Sequence, residues 1–129
     1  MVKTLRLREN VDPISRTLVH FCHSLNHKDL GSKVIQRAKY LLLDYLGVAI
    51  AGSQTESSLA VYRMLAHSMS PGPCTVIGTA SQTSPEYAAL ANGTAAHSVE
   101  LDDTNQAGSI HLGVVMFSTA IALSEILRC

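Results

Sequence analysis

The sequence predicts an all-α fold, a helical bundle with one short extended segment near 74–77. Three observations predict it. Apolar residues recur at helical spacing through five segments of the chain. The four prolines, Pro13, Pro71, Pro73 and Pro85, fall at the ends of those segments rather than in their middles. The one β-prone run, Cys74–Ile77, is closed in by Pro71-Gly72-Pro73 on one side and Gly78 on the other.

The elements follow in order. Residues 1–11 are expected to form a flexible N-terminus, and 12–129 to form an incomplete N-terminal helical domain. The first helix starts at Asp12, which can cap, followed by Pro13, which suits the first helical position. Ile14, Leu18, Phe21, Cys22 and Leu25 then share one face, which is expected to be buried. His20, His23 and His27 fall on the opposite face, where solvent is expected. Three histidines so spaced can catch a metal, but no carboxylate joins them, and adventitious binding is the reading preferred here.

The second helix is expected over Ser32–Ala51, with Gly52 as its stop. Gly47 inside it costs about 1 kcal/mol relative to Ala, a cost that often marks a close helix–helix approach. Asp44, set among apolar neighbours, is expected to be a partly buried carboxylate held by a donor. The third helix is expected over Ser57–Met69. The fourth opens on Ser84-Pro85-Glu86, a cap, a first-turn proline and an early acid. Its body to Ala96 is nearly all small residues, which suits a helix passing through the centre of a bundle. The fifth, Leu112–Leu127, is apolar almost all round and is expected to be buried on several sides. As the last element before Cys129, it prompts the expectation that neighbouring chain is missing.

Composition excludes several functions. The chain has 129 residues, 47% of them apolar and 16% charged, and its ten basic and ten acidic residues cancel. There is no basic field to attract nucleic acid or an anionic membrane surface. Neither of the most apolar stretches, Leu41–Gly52 and Leu112–Leu127, reaches the roughly 20 residues that a bilayer requires. No nucleic-acid or membrane partner is therefore expected. Cys22, Cys74 and Cys129 form no CxxC pair, so reduced, buried or partly buried thiols are expected, in a reducing compartment. Met1–Asn10 lacks the apolar run of a secretory signal. Without such a signal, the sequon Asn92-Gly93-Thr94 carries little meaning.

The segment after the fourth helix is the candidate site. His97, Glu100, Asp102, Asp103, Thr104 and His111 lie within 15 positions. Continued as a helix, the segment would set Glu100 on one face with Asp103 or Thr104, and His111 would return to the same place if the loop Asn105–Ile110 folds back. Carboxylate plus imidazole equips a protein for general acid/base catalysis. The same acids could equally cap the next helix or hydrogen-bond the loop. The acids lack the spacing of a calcium loop, and no metal is expected.

In its ordered motifs the chain resembles the MmgE/PrpD family, which includes 2-methylcitrate dehydratase and cis-aconitate decarboxylase. The resemblance runs from RAKYLLLDYLGVAIAG (Arg37–Gly52) through VIG (Val76–Gly78) and SPEYAALANGTAAHSVELDDT (Ser84–Thr104) to His111, and covers about residues 12–128. It implies a partial MmgE/PrpD-type helical domain, since family members are several times longer and add an α/β lid. It implies metal-independent, cofactor-free dehydration or decarboxylation of a small tricarboxylate, with further cationic and tyrosine side chains drawn from later sequence. By position, Glu100 (often Asp in the family), Thr104 and His111 are the implied catalytic residues. His97, Asp102 and Asp103 are placed at the substrate. Leu112 stands where the family usually has proline. The chain alone is then expected to be inactive, in the cytoplasm or a mitochondrion. The partners expected are the tricarboxylate, when missing sequence completes the site, and a second copy or a longer family member. The alternative is a non-enzymatic helical module that associates through its exposed apolar helix.

Overall fold

The computed structural model describes residues 12–68 and 70–128. The expectation of a flexible N-terminus at 1–11, the end of the third helix at Met69 and the thiol of Cys129 lie outside them. Among the described residues there are five α-helices and a two-stranded antiparallel sheet. The chain divides into two compact units, with the boundary between Ile35 and Gln36.

The first unit carries α1 (Pro13–Ser24) and a 3-10 turn at His27–Asp29. Asp12 caps as expected: its Oδ1 accepts from the Ile14 amide at 2.7 Å, removing one of the orphan donors of a helix start. The expected burial of the apolar face does not occur. No residue of α1 is buried, and Ile14 and Phe21 are 72% and 60% exposed. Helical periodicity reveals that a face exists, but not whether a neighbour covers it.

α2 (Ser32–Gly52) runs into the second unit, which also holds α3 (Glu56–Ser68), β1 (Cys74–Thr75), β2 (Gln82–Thr83), α4 (Pro85–His97) and α5 (Leu112–Leu127). The strand β1 is the expected extended segment. Its partner β2 was not expected, because two residues hold no period to read; Cys74 pairs with Thr83 and Thr75 with Gln82.

α4 is the central element. Ala88, Ala91, Asn92, Ala95 and Ala96 are buried, and the small side chains let α5 lie close along it. One core cluster joins Tyr45, Val48 and Ala49 of α2 to Ala96, with Val114, Phe117 and Ile121 of α5 packed against it. The Tyr45 and Phe117 rings lie 5.6 Å apart, tilted, within the range of favourable aromatic pairs. A second cluster is made by Cys74, Ala88 and Ala122. Burial pushes the Cys74 thiol up, with the Glu125 and Glu86 carboxylates adding to the shift. The group is therefore an inert thiol. Cys22 is exposed rather than buried.

Asn92 fastens the hairpin to α4. Its Oδ1 accepts from the Ile77 amide at 2.8 Å and its Nδ2 donates to the Thr75 carbonyl at 2.9 Å. The side chain is fully buried, so the sequon is a packing feature and not a glycan acceptor. Glu125 makes the matching tie from α5, accepting from the Thr75 amide and hydroxyl.

Four further expectations are corrected. Asp44 is exposed, not partly buried. Gly47 has open space around it; the close approach is at Gly52, where a Cβ would stand 1.9 Å from the Ala95 carbonyl oxygen. Ser84 does not cap α4 with its side chain; its hydroxyl is buried without a partner. Finally, α5 is not buried on several sides. Only Gly113, Ser118 and Ala122 are buried, while Val115, Met116 and Leu127 are 62–70% exposed. The helix turns its small residues inward with Val114, Phe117 and Ile121 packed beside them, and leaves its other large residues outward. No helix among the described residues is long and apolar enough to cross a membrane.

Candidate functional site

The site forms where α4 ends and α5 begins. The segment after His97 does not continue as a helix. The chain turns at Ser98 and Val99, and Glu100 takes a left-handed backbone, φ 53°, which is uncommon for a residue with a Cβ. The expected shared helical face of Glu100 with Asp103 or Thr104 is therefore absent. Asn105–Ile110 folds back, as a return of His111 to the site requires. The Asn105 amide donates to the Ile110 carbonyl at 2.8 Å, and Ile110 returns the bond at 3.3 Å. Gly108 donates to the Asn105 side chain at 2.9 Å. This closed loop delivers His111 next to the end of α4.

Asp102 is the centre. Its side chain is 2% exposed, and one carboxylate oxygen lies 3.1 Å from His97 Nδ1 and 3.0 Å from His111 Nδ1. The two imidazoles meet edge to face with centroids 4.8 Å apart. A buried carboxylate needs such donors to offset its lost hydration. The rings stay reachable, at 45% and 32% side-chain exposure.

The other predicted residues surround this core unevenly. Glu100 Oε1 approaches His97 Nε2 at 3.5 Å, but its side chain is 75% exposed. The Thr104 hydroxyl stands 3.5 Å from His111 Nδ1 and 3.4 Å from the Asp102 carbonyl. Asp103 turns the other way. Its Oδ1 accepts from the Gly113 amide at 2.8 Å, filling an orphan donor at the start of α5 and so fixing the helix that carries His111. A Cβ at Gly113 would press on that oxygen, so a larger residue there would push the Asp103 carboxylate aside.

A cavity of about 480 Å³ opens in front of the two histidines, bordered also by Ser57, Thr94, Ser98 and Val115. Sequence reasoning missed these wall residues. Thr94 precedes His97 by three positions, so helical spacing could have found it. Ser57 arrives from α3, and nothing local to it points to the site. No lysine or arginine borders this cavity among the described residues.

The family profile described as MmgE/PrpD N-terminal domain matches residues 16–129. This chain belongs to the MmgE/PrpD family. Among relatives of that family, the chain is 31% identical over 113 residues to "Cis-aconitate decarboxylase-like protein oryM" of Aspergillus oryzae. It is 30% identical over 114 residues to "Cis-aconitate decarboxylase" of Aspergillus terreus and 33% identical over 115 to the mouse protein of the same name. Each match covers 88% of this chain and 23% of the relative. The chain thus spans about a quarter of the length of these MmgE/PrpD relatives. No solved structure matches it.

Proposed function

We propose that the His97–Asp102–His111 cluster is the acid/base part of an MmgE/PrpD site for a small tricarboxylate of the cis-aconitate type. One observation carries the reading: a single buried carboxylate oxygen holds two solvent-reachable imidazoles at 3.0 and 3.1 Å. Decarboxylation breaks the bond from a carboxyl carbon to its neighbour. Carbon dioxide leaves, the electron pair stays on the neighbouring carbon, and an acid must deliver a proton there. Dehydration removes a proton beside a carboxylate and gives one to the departing hydroxide. Either route needs a group that exchanges protons near neutrality and a partner that stabilises its cation. In this reading His111 exchanges the proton, Asp102 orients it, Thr104 and Glu100 border the reacting atoms, and His97 meets a substrate carboxylate. Asp103 acts at a distance by setting α5.

A tricarboxylate carries three negative charges, and the cavity offers two imidazoles to meet them. The 129-residue chain by itself is therefore proposed to bind weakly and turn over little. The test is cis-aconitate titrated into the chain with histidine-labelled NMR. The His97 and His111 ring signals should move while His20 and His23 stay still. Unmoved rings at millimolar ligand would remove the site assignment. Brisk turnover by the chain, abolished in His111→Ala, would keep the site and remove the proposed inactivity.

The outward face of α5 favours a second reading, a helical module that associates with a longer relative. Light scattering of the chain mixed with such a relative tests it: a stable mixed species supports it, and separate peaks remove it.

A further inference from the structure

We propose that His97, Asp102 and His111 also form a binding site for a borderline divalent transition metal, zinc being the representative ion. The sequence pattern predicts no metal here, because the acids are spaced wrongly for a calcium loop. The fold creates a different donor set: two imidazole nitrogens and one carboxylate oxygen, from the end of α4, the turn after it and the residue before α5. These ligand atoms all lie within 4.8 Å of one another. Among the described residues, no other trio of histidine, cysteine or carboxylate side chains comes together in this way. That includes His20, His23 and His27, the set that the sequence brought forward.

The distances suit such an ion. Tetrahedral zinc holds nitrogen and oxygen ligands at about 2.0–2.2 Å, which sets neighbouring ligand atoms about 3.3 Å apart. The two imidazole-to-carboxylate separations are 3.1 and 3.0 Å. The imidazole-to-imidazole separation closes by rotating rings that are half-exposed. Asp102 is fixed and buried, so it serves as the anchor. The cavity in front of both rings gives the ion a path in and leaves a coordination position for water.

Metal and proton compete for the same atoms. Each Nδ1 now faces the Asp102 carboxylate and holds it as an N–H donor; to bind zinc it must present its lone pair instead. An ion here therefore displaces the protons on which the proposed acid/base role depends, and acts as an inhibitor of that role rather than as its cofactor. The inference uses the same residues as the proposed function but does not require any turnover.

The experiment is calorimetric titration of zinc sulfate into the 129-residue chain at pH 7.5, paired with NMR of the labelled imidazoles. One equivalent should bind, with Nδ1 ligation signatures at His97 and His111. His111→Ala and Asp102→Asn should each weaken binding by about tenfold or more, while His20→Ala/His23→Ala should leave it unchanged. Circular dichroism checks the folding of each variant. Should a site variant fail to fold, the wild-type imidazole signals decide alone. Zinc binding that disappears with His20 and His23 would show only surface capture and overturn the proposal. So would wild-type His97 and His111 signals that ignore a tenfold excess of zinc. Ring shifts with zinc but none with cis-aconitate would leave this site standing and remove the proposed substrate.

Discussion

Tyr45 is the residue whose environment most constrains pH behaviour. It is 3% exposed, and its hydroxyl has no hydrogen-bond partner. Burial pushes the phenol well above its ordinary value of 10. The folded chain therefore holds the Tyr45 proton more tightly than the unfolded chain does. The stability tied to it is fully present below pH 10 and is lost as pH rises from there toward the folded value. Tyr45→Phe removes both the ionisation and the unpaired hydroxyl while keeping the ring against Phe117. At pH 7 the variant should match the wild type within about 1 kcal/mol or exceed it, since a buried hydroxyl without a partner contributes nothing. Between pH 9 and 11 it should lose less stability than the wild type. Urea midpoints across that range check this; parallel losses in the two proteins would mean that Tyr45 is not the group responsible.

Two glycines of α2 separate local cost from packing at the level of the element. At Gly47 an added Cβ would meet nothing within 4 Å, whereas the same atom at Gly52 would collide with the Ala95 carbonyl and the Ser98 hydroxyl. The Gly52 carbonyl also accepts from Thr55, Ser58 and Ser98 hydroxyls at 2.8, 2.7 and 3.2 Å, so three segments converge on it. Gly47→Ala should stabilise by about 0.5–1 kcal/mol, the ordinary gain inside a helix. Gly52→Ala should cost about 1–3 kcal/mol or more, because backbone, not a flexible side-chain end, must move. Chemical denaturation of the pair decides it, and equal shifts would contradict the close approach. The helix ends were legible because Asp12, Pro13, Gly52 and Pro85 act locally, Asp12 by a side-chain bond two residues on and the others through their own backbones. Which glycine meets another helix was not, since that depends on what arrives from far along the chain, at Ala95. The site divides in the same manner. Its residue types were written into 97–111, but the role of Asp102 as the shared centre depends on the Asn105–Ile110 closure and on α4 stopping at His97.

For the molecule as a whole, burial is unevenly distributed, and stability should follow it. The second unit is organised on α4, with buried alanines, the two hydrogen bonds of the Asn92 side chain to the hairpin and the tie from Glu125. The first unit has the 12-residue α1, whose sequence shows a clear apolar face and whose residues are all exposed. An amphipathic pattern states that a face could be buried; only packing supplies the energy, and a helix shorter than about 12–15 residues is marginal in water without it. Local opening should therefore span nearly the whole range from unprotected to global. Hydrogen exchange followed by NMR should find the amides of Phe21 to Ser24 at nearly unprotected rates. Those of Ala91 to Ala96 should be the slowest in the chain, exchanging only with global unfolding. The order should persist in dilute urea, with α1 signals lost before the core of the second unit melts. Protection in α1 equal to that in α4 would mean that its apolar face is covered in solution, and with it the stability would have to be shared across the chain rather than concentrated on α4.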